Sequence, residues 1–342
     1  MKSFGALATA TAVLLALVLA PGGAAGAASV KRCPLMQRVS PGVERLGGAD
    51  RYEVAVHASQ AAFPAGADVV YFASGATFPD ALSGSAVAGA QRGPVLLLPK
   101  DEVPPAVKAE LARLAPARIV FLGGTQSISA ELEQSLRYFP ASFERVAGAD
   151  RYEVSVSLAR KAFNGASRRV FVASGEGFPD ALSASAAAGD AGGPVLLVTK
   201  NAVPEVVLDL LREEVQLQDI VVVGGPATIS DAVVAQLAPF ARVNRIGGVD
   251  RFAASAATSA YEFCADRSTV FVASGAVFPD ALAGSAAAIA AGGPVLLVGQ
   301  DSVPADVAAE LRRLNPMQIK VLGGPNTVSE RVVADLAQYL RP

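Results

Sequence analysis

The sequence predicts an α/β protein: three tandem three-layer domains, each a parallel sheet covered by helices. Three observations predict it. The chain repeats itself with a period of ~100 residues, far longer than the 20 to 50 of a solenoid. "ADRYEV", "ADRYEV" and "VDRFAA" begin at 49, 149 and 249, "FPDAL" at 78, 178 and 278, and "GPVLL" at 93, 193 and 293. Within each repeat, strand-like and helix-like segments alternate with short connections, which requires crossover helices and parallel strands. The strand-like segments "VVYFAS", "PVLLLP" and "RIVFLGG" are continuous apolar runs, as expected where both sheet faces are covered.

Each element of the first repeat can be placed. Glu44 to Gly48 reads as a short strand, Asp50 to Phe63 as a helix, Val69 to Ser74 as a strand, and Pro79 to Ala90 as a helix. Val95 to Leu98 is the next strand, Pro105 to Leu114 an amphipathic helix, Arg118 to Leu122 a strand, and Ser129 to Tyr138 the last helix. The second helix is unusual, since "DALSGSAVAGA", "DALSASAAAGD" and "DALAGSAAAIA" are almost wholly Ala, Gly and Ser. Such helices allow close backbone approach, and all three are expected to pack near a shared centre.

Before the repeats, Lys2 precedes the apolar stretch Ala10 to Ala20, with small residues at Ala25 and Ala27. Residues 1–28 therefore read as a secretory signal peptide, 29–42 as a lead, and 43–142, 143–242 and 243–342 as the three repeats. The apolar stretch is too short to span a bilayer, and no later segment is long enough. Without Lys2, 28 basic and 31 acidic side chains remain, a formal charge near −3. That balance gives no global field toward nucleic acid or anionic surfaces, so an anion must be held by local geometry. Export permits a disulfide between Cys33 and Cys264, the two cysteines.

Catalysis is not expected. Asp80, Asp180 and Asp280 recur without a second recurring carboxylate nearby, and His57 is the single histidine, its counterparts being Ser157 and Ala257. Neither a G-x-S-x-G elbow nor metal-ligand spacing is present, and no metal or cofactor is expected. The glycine pairs in "FLGGTQSIS", "VVGGPATIS" and "VLGGPNTVS" lack a Walker lysine, so they read as turns with Ser129, Ser230 and Ser329 as helix caps. Pro79 and Asp80 suit the first turn of a helix, where a carboxylate meets the positive end of the dipole. A buried carboxylate also needs a cation. The recurring arginines are Arg51, Arg151 and Arg251 in "DRY/F" and Arg45, Arg145 and Arg245 before it, and the aspartates are expected to pair with this set, within or across repeats.

At "RLGGADRYEVAV", "SGATFPDALSGSA", "GPVLLLP" and "VFLGGTQSIS" the sequence resembles the cell wall binding repeat type 2 family, over about residues 43 to 342. The resemblance implies Rossmann-like or Toprim-like domains in a compact pseudo-threefold unit. It also implies a secreted, noncatalytic protein of the Gram-positive surface, held noncovalently by anionic wall polymers such as teichoic-acid-like glycans. Such units accompany an effector, for example an amidase. Here about 15 residues separate the signal peptide from the first repeat, so no effector is expected and a wall-remodelling enzyme becomes a candidate partner. If the aspartates occupy Arg51, Arg151 and Arg251, then Lys100, Lys200 and Arg45 are the better anion ligands. Departures are Arg92 against Gly192 and Gly292, and Phe252 and Gln300 against tyrosine and lysine. The alternatives are a wall hydrolase using His57 or the aspartates, and a self-associating surface protein.

Overall fold

A computed structural model of the chain describes residues 39–342. Residues 1–28, expected from the sequence to be a signal peptide, most of the expected lead and Cys33 lie outside the described residues; Cys264 is not a free thiol.

In the first repeat the elements are β1 (Gly42–Leu46), α1 (Arg51–Ala62), β2 (Val69–Ser74), α2 (Pro79–Ala90), β3 (Val95–Leu98), α3 (Pro105–Leu114), β4 (Arg118–Leu122) and α4 (Ala130–Ser135). The second repeats them as β5 (Ser142–Val146), α5 (Arg151–Phe163), β6 (Arg169–Ser174), α6 (Pro179–Ala191), β7 (Val195–Val198), α7 (Glu205–Glu213), β8 (Asp219–Val223) and α8 (Asp231–Leu237). The third comprises β9 (Arg242–Ile246), α9 (Arg251–Glu262), β10 (Thr269–Ser274), α10 (Pro279–Ala290), β11 (Val295–Val298), α11 (Ala305–Leu314), β12 (Gln318–Leu322) and α12 (Glu330–Leu336). The expected order of elements is observed. Two elements shift: β1 runs Gly42–Leu46 rather than Glu44 to Gly48, and α4 stops at Ser135, because Leu136 N and Arg137 N bond to Glu133 O and Gln134 O, the tighter i to i+3 pattern of a helix end.

The strands form three parallel four-stranded sheets, ordered β3-β2-β4-β5, β7-β6-β8-β9 and β11-β10-β12-β1. Each sheet therefore borrows its last strand from the next repeat, and β1 from the start of the chain completes the third sheet. The register is equivalent at each seam, pairing Leu122 with Val146, Val223 with Ile246 and Leu322 with Leu46. One of the two inner strands of each sheet, β2, β6 or β10, is almost wholly buried.

The small-residue helices α2, α6 and α10 meet one another, and each also packs on the first helix of the following repeat, α5, α9 and α1 respectively. Close approach is visible atom by atom. Ser85 Oγ lies 2.9 Å from the Leu282 carbonyl oxygen, and Ser185 Oγ lies 2.6 Å from that of Leu82. A Cβ on Gly89 would stand 2.5 Å from Ile289 Cβ of α10 and one on Gly189 2.3 Å from Ile289 Cδ1, while toward the sheets a Cβ on Gly84 would stand 2.2 Å from Leu122 Cδ1 and one on Gly284 2.0 Å from Leu322 Cδ1. The shared centre is built on serine, alanine and glycine because larger side chains would separate these backbones. No described helix is long and apolar enough to cross a membrane.

Candidate functional site

Each recurring motif ends at the C-terminal edge of a sheet, where two repeats meet. The turn from β2 to α2 is tightened by Ser74, whose Oγ accepts from Ala76 N at 3.1 Å, and Ser174 and Ser274 do the same. The turn delivers Phe78 to the centre, where it meets Phe178 and Phe278 with ring centroids 5.6 to 6.1 Å apart in tilted and edge-on geometry. Pro79 then opens α2, with Asp80 in its first turn.

Asp80 does not cap its own helix. It reaches over the glycine loop after β4, so closely that a Cβ on Gly123 would lie 2.2 Å from Asp80 Oδ2. Gly323 stands in the same relation to Asp280, at 2.3 Å. A hydroxyl meets each carboxylate: Thr228 and Thr327 donate to Asp180 and Asp280 at 3.1 Å, and Ser127 serves Asp80. Burial pushes all three carboxyls above the usual aspartate range, opposed by these hydroxyls and by an arginine of the following repeat. The arginines are Arg151 for Asp80, Arg251 for Asp180 and Arg51 for Asp280. The aspartates thus face the "DRY/F" arginines across the repeat boundary, in cyclic order. They interact through space, since no direct ion pair joins them among the described residues.

Arg51, Arg151 and Arg251 each donate one Nη1 bond to the carbonyl of Gly75, Gly175 and Gly275. Arg151 and Arg251 also lie 5.8 and 5.9 Å from the ring centres of Phe78 and Phe178. Each arginine begins a helix capped by the preceding aspartate; Asp50 Oδ1 accepts from Tyr52 N and Glu53 N at 2.9 Å. In the first two repeats Glu53 and Glu153 reach back beyond the cap and accept from Ala49 N and Ala149 N at 2.8 Å.

The other arginines are spent on the fold. Arg45 donates to Gly323 O at 2.8 Å and Val328 O at 2.9 Å and pairs with Glu330 at 3.1 Å. Arg145 donates to Gly123 O and pairs with Glu133 at 2.9 Å, and Arg245 donates to the carbonyls of Gly224, Ile229 and Ser230. They fasten each glycine loop to the borrowed strand. Lys100 and Lys200 are exposed just past β3 and β7, with no side-chain partner among the described residues. His57 is exposed on α1 and touches the Gly47 carbonyl. Ser129 and Ser329 cap their helices through Leu132 N and Val332 N, whereas Ser230 occupies the position without making the bond. Sequence reasoning missed the hydroxyls Ser127, Thr228 and Thr327; their signal was a Ser or Thr recurring two residues before Ser129, Ser230 and Ser329.

Where the third repeat meets the first, these groups line a cavity of about 480 Å³, with Gly48, Arg51 and Val54 on one side and Phe278, Asp280 and Thr327 on the other. A guanidinium, a buried carboxylate and a hydroxyl around an apolar wall suit hydrogen bonding to a polar ligand.

Comparison with known proteins agrees with this architecture. Residues 45–133, 145–234 and 245–333 each match the family described as cell wall binding domain 2 (CWB2). The amidase enhancer of Bacillus subtilis (strain 168) is 28% identical over 295 residues, 86% of this chain and 40% of the relative. N-acetylmuramoyl-L-alanine amidase LytC of the same strain is 25% identical over 294 residues, 86% of this chain and 58% of the relative. The chain thus spans about half the length of these relatives. Cwp6 from Clostridium difficile shares the fold with a TM-score of 0.82 at 24% identity, over 92% of this chain and 51% of that one. Cwp8 from the same organism gives 0.78 at 26% identity, over 87% and 52%. With all three repeats matched in order, the chain belongs to the cell wall binding domain 2 family.

Proposed function

We propose that this protein is a secreted, noncatalytic module that attaches to anionic polymers of the cell wall, teichoic-acid-like glycans, as an anchor or as an accessory to a wall-remodelling enzyme. The observation that carries the reading is an exposed lysine at the equivalent sheet end of the first two repeats. Lys100 and Lys200 stand exposed just past β3 and β7, whereas Arg51, Arg151 and Arg251 each bond a turn carbonyl and face an aspartate of the preceding repeat in the cycle. Triplication favours binding over catalysis, because weak contacts repeated along a polymer multiply in affinity. His57, by contrast, exists once and touches only a backbone carbonyl among the described residues.

The relatives support the association with wall chemistry, since one is named an amidase and the other an amidase enhancer. The test is cosedimentation of the mature chain with purified walls, before and after anionic polymer is stripped from them. Binding is expected to fall on stripping and with added salt, and a Lys100→Ala, Lys200→Ala double variant is expected to weaken it and flatten the salt dependence. Binding indifferent to the polymer would exclude the reading.

A further inference from the structure

The junction that closes the ring carries side chains that the other two lack. Asn326 stands where the first and second repeats have Gln126 and Ala227, and Val277 where they have Thr77 and Gly177. Both line the cavity of about 480 Å³. That volume falls within the ~300–1,000 Å³ of pockets that enclose small ligands, and it is ample for one sugar ring.

Its charge argues against an anion. Asp50, Arg51 and Asp280 contribute two carboxylates and one guanidinium, a formal excess of negative charge. Asp50 Oδ1 is occupied by the backbone of α1, and Arg51 Nη1 by the Gly75 carbonyl. A phosphate would meet an opposing carboxylate, Asp280, only 8% exposed, on the far wall. A polyol would not. Asp280 offers acceptor oxygens, Asn326 an amide, Thr327 a hydroxyl and Arg51 its remaining donors, while Phe278 and Val277 present apolar surface. A pyranose has this division, with hydroxyls around its edge and C–H groups on its faces.

We propose that the cavity at the closing junction is a saccharide subsite that takes one neutral pyranose unit of the wall glycan, through Asp280, Asn326 and Arg51, with the ring face against Phe278 and Val277. This rests on the wall-glycan reading above and divides the labour: the cavity reads the sugar, and the exposed lysines meet the charge.

The test is calorimetric titration of the mature full-length chain with neutral hexose and N-acetylhexosamine oligosaccharides, with inorganic phosphate as the charged competitor. One oligosaccharide per chain is expected, with affinity unchanged by salt and unaffected by phosphate. Asn326→Ala, on an exposed loop and so compatible with folding, and Asp280→Asn are each expected to weaken it about tenfold. No binding, three sites per chain, competition by phosphate, or an unaltered Asn326→Ala variant would each overturn the subsite. Sedimentation of the same wild-type preparation separates the two readings. Wall binding without oligosaccharide binding defeats the subsite alone, and oligosaccharide binding without wall binding defeats the wall-anchor reading instead.

Discussion

The internal seams of the ring and the closing seam share a chemistry but not a connectivity. At the first seam Gly123 N bonds to Val146 O at 2.8 Å and Arg145 reaches back 22 residues to the Gly123 carbonyl. At the closing seam Gly323 N bonds to Leu46 O at 3.0 Å, and Arg45 spans 278 residues to the Gly323 carbonyl. The same strand, glycine loop and arginine therefore assemble whether or not the chain runs directly between them, so the seam is specified by side chains and register. Connectivity sets the entropy instead. Closing a loop of that greater length from an unfolded chain costs about 2 kcal/mol more, on the logarithmic dependence of loop entropy.

The largest test of the comparison removes the arginine at each kind of seam. Arg45→Ala leaves the carbonyls of Gly323 and Val328 without their donor and is expected to cost about 2 to 3 kcal/mol. In hydrogen exchange the loss should be local, with amides of β1 and β12 opening ahead of the rest. Arg145→Ala should cost a similar amount, yet β5 is held between α4 and α5, so its amides should exchange only with global unfolding. Equal local opening at both seams would show that connectivity contributes nothing.

A second test compares the centre of the second repeat with that of its neighbours. The first and third repeats place Gly84 and Gly284 against Leu122 and Leu322, with no room for a Cβ. The second has Ala184 and Val223 at the equivalent positions, both fully buried. One methyl has moved from strand to helix. Gly84→Ala should therefore destabilise by about 1 to 2 kcal/mol through overpacking, and adding Leu122→Val should restore most of it, as thermal melts of the double-mutant cycle would report. Additive losses would break the inference.

These comparisons mark how far the sequence is legible. The elements were readable because buried parallel strands are unbroken apolar runs, as in "VVYFAS", and because Ser129 and Asp50 announce helix starts. The shared centre was readable from the absence of large side chains in α2, α6 and α10. Strand borrowing was not, since a period can be cut anywhere and Glu44 to Leu46 looks the same whichever sheet it joins. The arginines were only half legible. Recurrence marked both sets, but nothing local says that Arg45 points into backbone carbonyls while Arg51 faces Asp280 of another repeat. Those roles depend on the path of the glycine loop, which is fixed only after the sheets have assembled.

The smallest expected effect lies at the end of α2. The backbone there is left-handed in all three repeats, with φ of 55° at Arg92, 69° at Gly192 and 64° at Gly292. Glycine adopts that conformation without strain, whereas an L side chain meets its own carbonyl. Arg92 is exposed, and its side chain makes no hydrogen bond among the described residues that would offset the strain. Arg92→Gly relieves the clash but also loosens the unfolded chain, so the net gain should be at most about 1 kcal/mol, a rise in Tm of about 2 °C. Gly192→Arg should move Tm the other way. If Arg92→Gly instead lowers Tm, then the unfolded-chain term outweighs the backbone strain at this turn, and the first repeat gains from the residue that sets it apart.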